Sequence, residues 1–565
     1  MIVDRHRLTQ IRLALVQRFP PLVRIDDGFR VLRDPAYGKR INEEVSALRS
    51  LKAKIGNRFA NTTPAHRGNS FIMFGFSLVD TALLERIVAA GFEHAGMSPV
   101  MVGPWRSHGA AAYRYLGLGR LTPWNSHIGA DARETAAQAI AGMIKQSELH
   151  AFHYEGVPCG RIAMSSLMRS QRRGRFDFSD ATTLQFLADA LASSIAAIGT
   201  VRKLIQRHRP AAVVLSDRGY TPFGEMSYLC MESGIPFYTW NVAHRYGRIV
   251  MKRFDKHNTH LHHHSLSTES WRKISGLNWC DAYEAASERE LTDSYTSGEW
   301  YGEVGTQFHV STVQKQALIK RLELDPDKKT AILFPHIFWD GTFFWGEDLF
   351  DDYEQWFCEV LKVARENNRL NWVVKIHPAN IVKDVRDKHS GEHSEVAVMR
   401  QVLGKTPAHI RLVEASSDIS TLSLFSIMDY CLTVRGTIGI EAAYRGIPVL
   451  TAGTGRYDRL GFTVDFDDRE SYLARLRHLE TVPPLTPAEL ELAKKYAFGT
   501  FALRPTPLSS VRFSFRKDAR ASLEASLTVA DLVALRAAPD VISLGNWIRS
   551  GEDDYCNWAL VKETR

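Results

Sequence analysis

Four stretches of the sequence place ligand-holding or reactive side chains directly behind an apolar run of the kind that forms a buried strand. In an open parallel sheet, ligands gather outside the carboxyl ends of the strands, so these junctions carry the functional information. The first is Lys375-Ile376-His377-Pro378-Ala379-Asn380, behind the run NWVVKI. Pro378 ends the strand and fixes the turn, which leaves the His377 imidazole either donating to a phosphate oxygen or bonded to a neighbouring backbone group. The second runs from Thr433 to Ala443, a strand end that passes straight into a helix start. Unpaired amides and the helix dipole there attract anions, Gly436 permits close backbone approach, Thr437 caps the helix or binds phosphate, and Arg435 supplies positive charge. Glu441, one turn in, shares a side with Thr437 and could reach a ribose hydroxyl; the alternative is a capped core helix with Glu441 in solvent. A third junction, TAGTGR ending at Arg456, is glycine-rich, a feature too common to weigh alone.

The fourth junction is Val213-Val214-Leu215-Ser216-Asp217-Arg218-Gly219-Tyr220. Asp217 sits at a strand end, as a catalytic carboxylate would, or forms an Asx-turn or a pair with Arg218. Glu225, at the next helix start, is read by default as a carboxylate favoured by the helix dipole. His260, His262, His263 and His264 lack the spacing of a zinc site and read as a solvated loop, so no metal is expected. The aromatic block from Phe334 to Asp348 follows a strand and is either the wall of a base or sugar pocket or a packed loop. Arg169–Arg175 (RSQRRGR) reads as a solvated basic loop, since no nucleic-acid-binding signature accompanies it.

Positioning these groups takes strand-helix alternation, which the sequence shows twice. Residues 1–65 read as an amphipathic helical lead-in ending near Asn61-Thr62-Thr63-Pro64. Residues 66–300 follow as a first lobe: strands Ser70–Phe76, Pro99–Val102, Ala211–Leu215 and Pro236–Trp240, with helices at Asp80–Ala90, from His108, at Thr182–Arg207 and at Gly224–Ser233. Residues 120–180 show no pattern that orders their elements, and the polar, His-rich span 254–300 suits an interdomain segment. Residues 301–500 form a second lobe with strands Thr330–Phe334, Asn371–Ile376, His409–Leu412, Asp429–Thr433 and Pro448–Leu450. Helices Val313–Leu324, Asp352–Glu366, Glu395–Leu403, Ile419–Phe425 and Thr437–Tyr444 alternate with them. AILFP, WVVKI and YCLTV are apolar throughout, as parallel strands buried on both faces must be. The tail, 501–565, is a candidate for crossing back to the first lobe.

A chain of 565 residues with 45% hydrophobic and 24% charged residues is folded, and too long for one core. Its net charge of +8, from 71 basic and 63 acidic residues, favours anionic partners without specifying one, and nucleic acid is not expected. No apolar run approaches the roughly 20 residues of a membrane helix, and MIVDRHRLTQ does not resemble a signal peptide, so a cytoplasmic location is expected. The six cysteines are scattered without a CxxC pair and read as reduced thiols.

The second lobe resembles the bacterial capsule polysaccharide biosynthesis family, whose members include Kdo transferases that use CMP-Kdo. VVKIHPAN, RGTIGIEAAYRGIPVL (Arg435 to Leu450) and FPHIFWDGTFFWGEDLF carry the resemblance, over roughly 310–465. It implies an α/β fold of two Rossmann-like lobes with doubly wound parallel sheets, the GT-B arrangement, in which the HP histidine and the phosphate-facing helix start grip a nucleotide. On this chain those positions are His377, Arg435, Gly436, Thr437 and Glu441, with Asp217 as the first-lobe catalyst. The resemblance implies a glycosyltransferase working from a nucleotide sugar, such as CMP-Kdo, on a capsule or other surface polysaccharide or glycolipid, with peripheral contact at the inner face of the cytoplasmic membrane and no cofactor beyond the donor. Two other readings share the fold: a nucleotide-sugar epimerase and a non-catalytic export or scaffold protein.

Overall fold

The computed structural model describes residues 34–60, 69–76, 78–104, 108–124, 127–297, 310–515 and 523–562. Of the lead-in, helix α1 (Pro35–Ile55) is described, while the expected stop at Asn61–Pro64 lies outside the described residues.

The first lobe is built on β1 (Ser70–Phe74), α2 (Val79–His94), β2 (Ser98–Pro104), β3 (Thr122–Trp124), α3 (Ala130–Ala141), α4 (Cys159–Gln171), α5 (Ala181–His208), β4 (Ala212–Leu215), α6 (Phe223–Glu232), β5 (Phe237–Val242) and β6 (Arg248–Phe254). Strands β1 to β5 run parallel in the order β5-β4-β1-β2-β3, with Phe71 beside Pro99 and Ala212. Each of the four β4 residues AVVL is buried, which fits a strand covered on both faces. Where a uniformly parallel sheet was expected, β6 returns antiparallel on β5 through a short connection that leaves no room for a crossover helix. The unpatterned span 120–180 supplies β3, α3 and α4, whose short strand and modest amphipathicity give little period to read.

Helix α5 is the one described helix long and apolar enough, by length and composition, to cross a membrane. Its apolar residues are interspersed with small and polar ones, so it holds no continuous 20-residue apolar run. Leu187, Leu191, Ile198 and Val201 on it are buried in the first-lobe core with residues of α3, α4 and α6.

The histidine-rich segment leads into α7 (Thr268–Ser275) and α8 (Asp281–Thr296), which pack Ile274, Tyr283 and Leu291 into a core of the second lobe. That lobe comprises β7 (Thr330–Leu333), α9 (Tyr353–Glu366), β8 (Asn371–Lys375), α10 (Ala379–Asp387), α11 (Ser394–Leu403), β9 (Ile410–Val413), β10 (Tyr430–Thr433), α12 (Thr437–Tyr444), β11 (Val449–Thr451), α13 (Arg469–Arg477) and α14 (Pro487–Ala497). Its five strands are all parallel, ordered β11-β10-β7-β8-β9, with helices on both faces. This is the doubly wound arrangement that the alternating pattern implied.

Two devices join the lobes. A π-helical turn, Phe498–Leu503, carries the chain from α14 to β12 (Thr506–Pro507), which pairs antiparallel with β6 of the first-lobe sheet. The hairpin β13 (Val511–Phe515) and β14 (Leu523–Leu527) and helix α15 (Pro539–Ser550) then cover the α2 face. Helices α2 and α15 approach closely because Gly91 faces Leu544 and Gly545 faces His94; a Cβ at either glycine would come within 2.6 Å of that side chain. Asp554 anchors the end of the tail, accepting from the Lys252 ammonium on β6 at 2.7 Å and pairing with Arg504 at 2.9 Å, all three side chains fully buried.

The second device is the aromatic block behind β7. Ile337, Trp339 and Phe343 are buried in the first-lobe core rather than in their own lobe. Ser165 Oγ donates to the Thr342 carbonyl at 2.8 Å, and the Phe344 ring lies so close to Gly219 that a Cβ there would meet it at 2.0 Å. Burying side chains of this size contributes roughly 1.5–3 kcal/mol each. Arg169–Arg175 is likewise no solvated loop: Arg172 pairs with Asp384 and Asp387 of α10 and stacks over Trp339, and Arg175 pairs with Asp352 at 2.9 Å.

Candidate functional site

A cavity of about 1060 Å³ lies between the two sheets and is lined from both lobes. All four junctions behind β4, β8, β10 and β11 contribute to it, as the edge rule for parallel sheets demands.

On the second-lobe wall, α12 begins at once behind β10. Gly436 is its N-cap; its own N–H donates to Thr433 Oγ1 at 3.1 Å, and no side chain caps the helix start. Gly436, Thr437 and Ile438 line the cavity, presenting the positive end of the helix to it. Arg435, expected to supply the charge, does not line the cavity. Its guanidinium is 3% exposed and turned away, donating to the Trp345 and Glu347 carbonyls and paired with Asp348. The cation here is Arg456, whose Nη2 donates to Thr437 Oγ1 at 2.8 Å and whose Nη1 donates to the Arg435 carbonyl at 3.0 Å. The exchange has a simple cause: Asp348 and the Trp345 and Glu347 carbonyls claim the Arg435 guanidinium, which leaves Arg456 at the helix start. Arg456 closes the glycine-rich third junction, so the signal was present but indistinguishable from a common loop.

His377 lines the cavity with its ring partly open to it. The Ala379 N–H donates to its Nδ1 at 3.0 Å, which places the remaining proton on Nε2. Desolvation by the cleft walls and the Lys383 and Lys375 charges hold the imidazole down at about 4, so at neutral pH it is an uncharged Nε2–H donor. Of the two sequence alternatives for His377, the bond to a neighbouring backbone group is made at Nδ1. Glu441 is 6% exposed rather than solvated; the Tyr295 hydroxyl donates to its Oε2 at 2.7 Å, and both residues line the cavity. Burial pushes its carboxyl upward.

On the first-lobe wall, Asp217 Oδ1 accepts from the backbone N–H of Arg218 at 2.6 Å and of Gly219 at 3.1 Å, an Asx-turn. The Arg218 side chain is no partner to it and reaches instead to the Leu261 and Phe344 carbonyls. Asp217 nonetheless lines the cavity, and burial raises its carboxyl above the ordinary 3.8. A second carboxylate, Asp340, comes across from the aromatic block. Burial alone would raise it, but Lys383 at 2.8 Å and Arg169 hold it below its ordinary value. Of the two, Asp217 is the one disposed to take a proton and Asp340 the one disposed to stay charged. Glu225 is not at this surface: it is fully buried, accepts from Ser194 at 2.5 Å and Thr221 at 2.8 Å, and is pushed up to about 7 by burial.

The histidines correct another expectation. His262 and His263 stack at 4.3 Å, His262 lies 4.3 Å from the Trp345 ring, and His262, His263 and His264 all line the cavity. Burial, with Arg456 and neighbouring cations, holds all three well below the ordinary imidazole value, leaving them neutral. Among the described residues, no group of three or more His, Cys, Asp or Glu side chains is placed to hold a metal ion. All six cysteines are free. Arg169, Tyr295 and the histidine stack were missed because each acts through a contact more than 80 residues away in the chain, and Asp340 and Lys383 because their pairing joins an aromatic loop to a helix 43 residues on.

A comparison with curated proteins returns no match. Among solved structures, the chain is similar to the beta Kdo 2,4 transferase of Thermosulfurimonas dismutans KpsC, at 14% identity and a TM-score of 0.31, over 59% of this chain and 88% of that one. It is similar to the beta Kdo 2,7 transferase of the same KpsC, at 13% and 0.28, over 60% and 87%. It is similar as well to the UDP-GlcNAc 2-epimerase of Neisseria meningitidis bound to UDP-GlcNAc, at 13% and 0.26, over 76% and 97%. Likenesses this shallow carry no residue role or substrate to this chain. The sequence itself carries more: over residues 298–482, which hold the parallel sheet of the second lobe and its phosphate-type junctions, the chain matches the family of capsule polysaccharide biosynthesis proteins.

Proposed function

We propose that this chain is a glycosyltransferase that moves a sugar from a nucleotide donor to a capsule or other surface glycan or glycolipid, at the inner face of the cytoplasmic membrane. The observation that carries the reading is the interlobe cavity, in which a helix start with a bound arginine and a neutral imidazole faces a half-buried carboxylate on the opposite lobe. In this reading the start of α12, Arg456 and His377 Nε2–H hold the donor phosphate, and Glu441, oriented by Tyr295, accepts from the ribose. The bond from the anomeric carbon to the phosphate oxygen breaks with both electrons going to oxygen, through an oxocarbenium-like transition state. Positive charge and oriented donors on the phosphate lower the energy of that state. The acceptor hydroxyl attacks the anomeric carbon, and its proton passes to Asp217. Neutral His262 and His263 with Trp345 offer a stacking surface for a sugar ring.

The donor we propose, on the family resemblance, is a cytidine nucleotide sugar such as CMP-Kdo. A thermal-shift comparison of CMP, UDP and GDP tests the donor site: CMP should raise the unfolding midpoint most, because a ligand that binds only the folded state stabilises it. Incubation of the activated sugar alone tests the reaction, since a transferase needs the acceptor and an epimerase would convert the donor without one. Conversion of the donor in the absence of acceptor would replace this reading with the epimerase.

A further inference from the structure

Lys375 is the last residue of β8, it is 2% exposed, and it lines the interlobe cavity. Its ammonium donates to the Glu414 carbonyl, just past β9, at 3.0 Å. Among the described residues, no carboxylate offsets its charge, and burial pushes it down to about 8. A buried ammonium without a counter-charge is costly, and one carbonyl leaves two of its three N–H bonds to be satisfied. The other cationic side chains on this wall are committed: Arg456 to the start of α12, Arg386 to Asp387, and Lys383 to Asp340.

The sheet order separates Lys375 from the start of α12. Strand β7 lies between β8 and β10, so the two strand ends are about 10 Å apart at the usual strand spacing. The Lys375 amine leans farther away still, toward β9, where Glu414 holds it. The amine is thus turned from the α12 start toward the β9 side of the cavity.

We propose that Lys375 forms a second oxyanion subsite in the cavity, separate from the phosphate-holding start of α12, and that it takes a carboxylate or phosphate group of the bound substrates. The subsite requires an anionic ligand but not the transfer reaction, so it stands or falls apart from the proposed function. It also accounts for a lysine, rather than an apolar residue, at the end of an otherwise apolar buried strand.

The test is a thermal-shift titration of the intact chain with inorganic phosphate and, separately, with pyruvate, for the wild type, Lys375→Met, Lys375→Arg, Arg456→Met and the Lys375→Met/Arg456→Met double variant. Lys375→Met should fold at least as stably without ligand, because it removes an uncompensated buried charge while keeping the length of the chain. The apparent affinity for at least one of the two anions should fall about tenfold or more in Lys375→Met, the worth of a charged hydrogen bond, and be retained in Lys375→Arg. Arg456→Met should keep that Lys375-dependent response, and the double variant should lose what each single variant keeps. A phosphate-specific or pyruvate-specific loss names the oxyanion that the subsite prefers. Unchanged responses to both anions in Lys375→Met, or a lower ligand-free midpoint rescued by Lys375→Arg with no change in either response, would make Lys375 a structural residue and overturn the subsite.

Discussion

The second-lobe wall of the cavity takes most of its side chains from Phe334 to Arg456, a stretch of alternating strand and helix joined by Tyr295, Thr500 and Phe501, while the first-lobe wall combines Arg169, Asp217, Trp240, the histidines at 262–264 and, from the tail, Phe515 and Leu523. The second-lobe wall presents a helix start, an arginine and an imidazole donor, which suit a phosphate. The first-lobe wall presents a raised carboxylate, neutral rings and apolar residues, which suit a hydroxyl and a sugar face. A nucleotide grip can be made by one local unit, because the phosphate needs only the start of one helix and its neighbours. The opposite wall has to hold a proton acceptor in low-dielectric surroundings, and that takes parts from distant spans of the chain, including an aromatic block donated by the other lobe.

The largest test of this division is Asp217→Asn. If the first-lobe wall does the proton transfer, turnover should fall by about 10²–10⁴-fold with nucleotide affinity unchanged, since the amide keeps the shape and loses the basicity. In the wild type, turnover should fall as the pH drops through the raised titration of Asp217, because only the ionised carboxylate accepts a proton. Retained transfer in this variant would leave Asp217 with its Asx-turn alone.

The next test asks whether the first-lobe wall depends on the tail. Asp554→Asn strands two buried cations, Lys252 and Arg504, and should cost about 3–5 kcal/mol, read as a lower urea midpoint. A change below about 1 kcal/mol, the worth of an exposed pair, would mean that the tail is held by packing alone.

Two arginines separate grip from architecture within the second-lobe wall. Arg456→Met should weaken nucleotide binding by about tenfold to a hundredfold, the worth of charged hydrogen bonds, with little change in unfolding midpoint. Arg435→Met should do the reverse, lowering stability through the abandoned Asp348 while affinity changes less. If the two variants behave alike, the assignment of separate roles fails.

The smallest effect is expected on the α2 side of the first lobe. Glu85 is fully buried, accepts from the Phe76 N–H at 3.0 Å and from the Tyr113 hydroxyl, and is pushed up to about 8 by burial. Because its folded value lies above the ordinary 4.5, the stability it confers is whole below 4.5 and is lost as pH rises through about 8. Glu85→Gln keeps the shape and removes the titration, so its plot of stability against pH should be flatter over that window than the wild type's. Parallel plots would assign the pH dependence elsewhere.

The sequence by itself determined the parallel strands and their junctions, because a strand covered on both faces must be apolar along its length and must end at a turn or helix start. Residues 331–333, 372–374 and 430–432 meet that condition, and α12 begins at Thr437, where the glycine and threonine signal it. The neighbourhood of His377, Thr437 and Glu441 was legible for the same reason: each lies within one turn of a strand end. The tertiary structure alone decided which arginine faces the cleft, since Arg435 and Arg456 sit at equally suggestive junctions and differ only in whether Asp348 is there to claim the charge. It also decided that His262 is buried, that the basic run 169–175 spans the lobes, and that β12 closes the first sheet on β6. Those outcomes depend on partners more than 80 residues away, and no local period or turn signal records a partner at that distance.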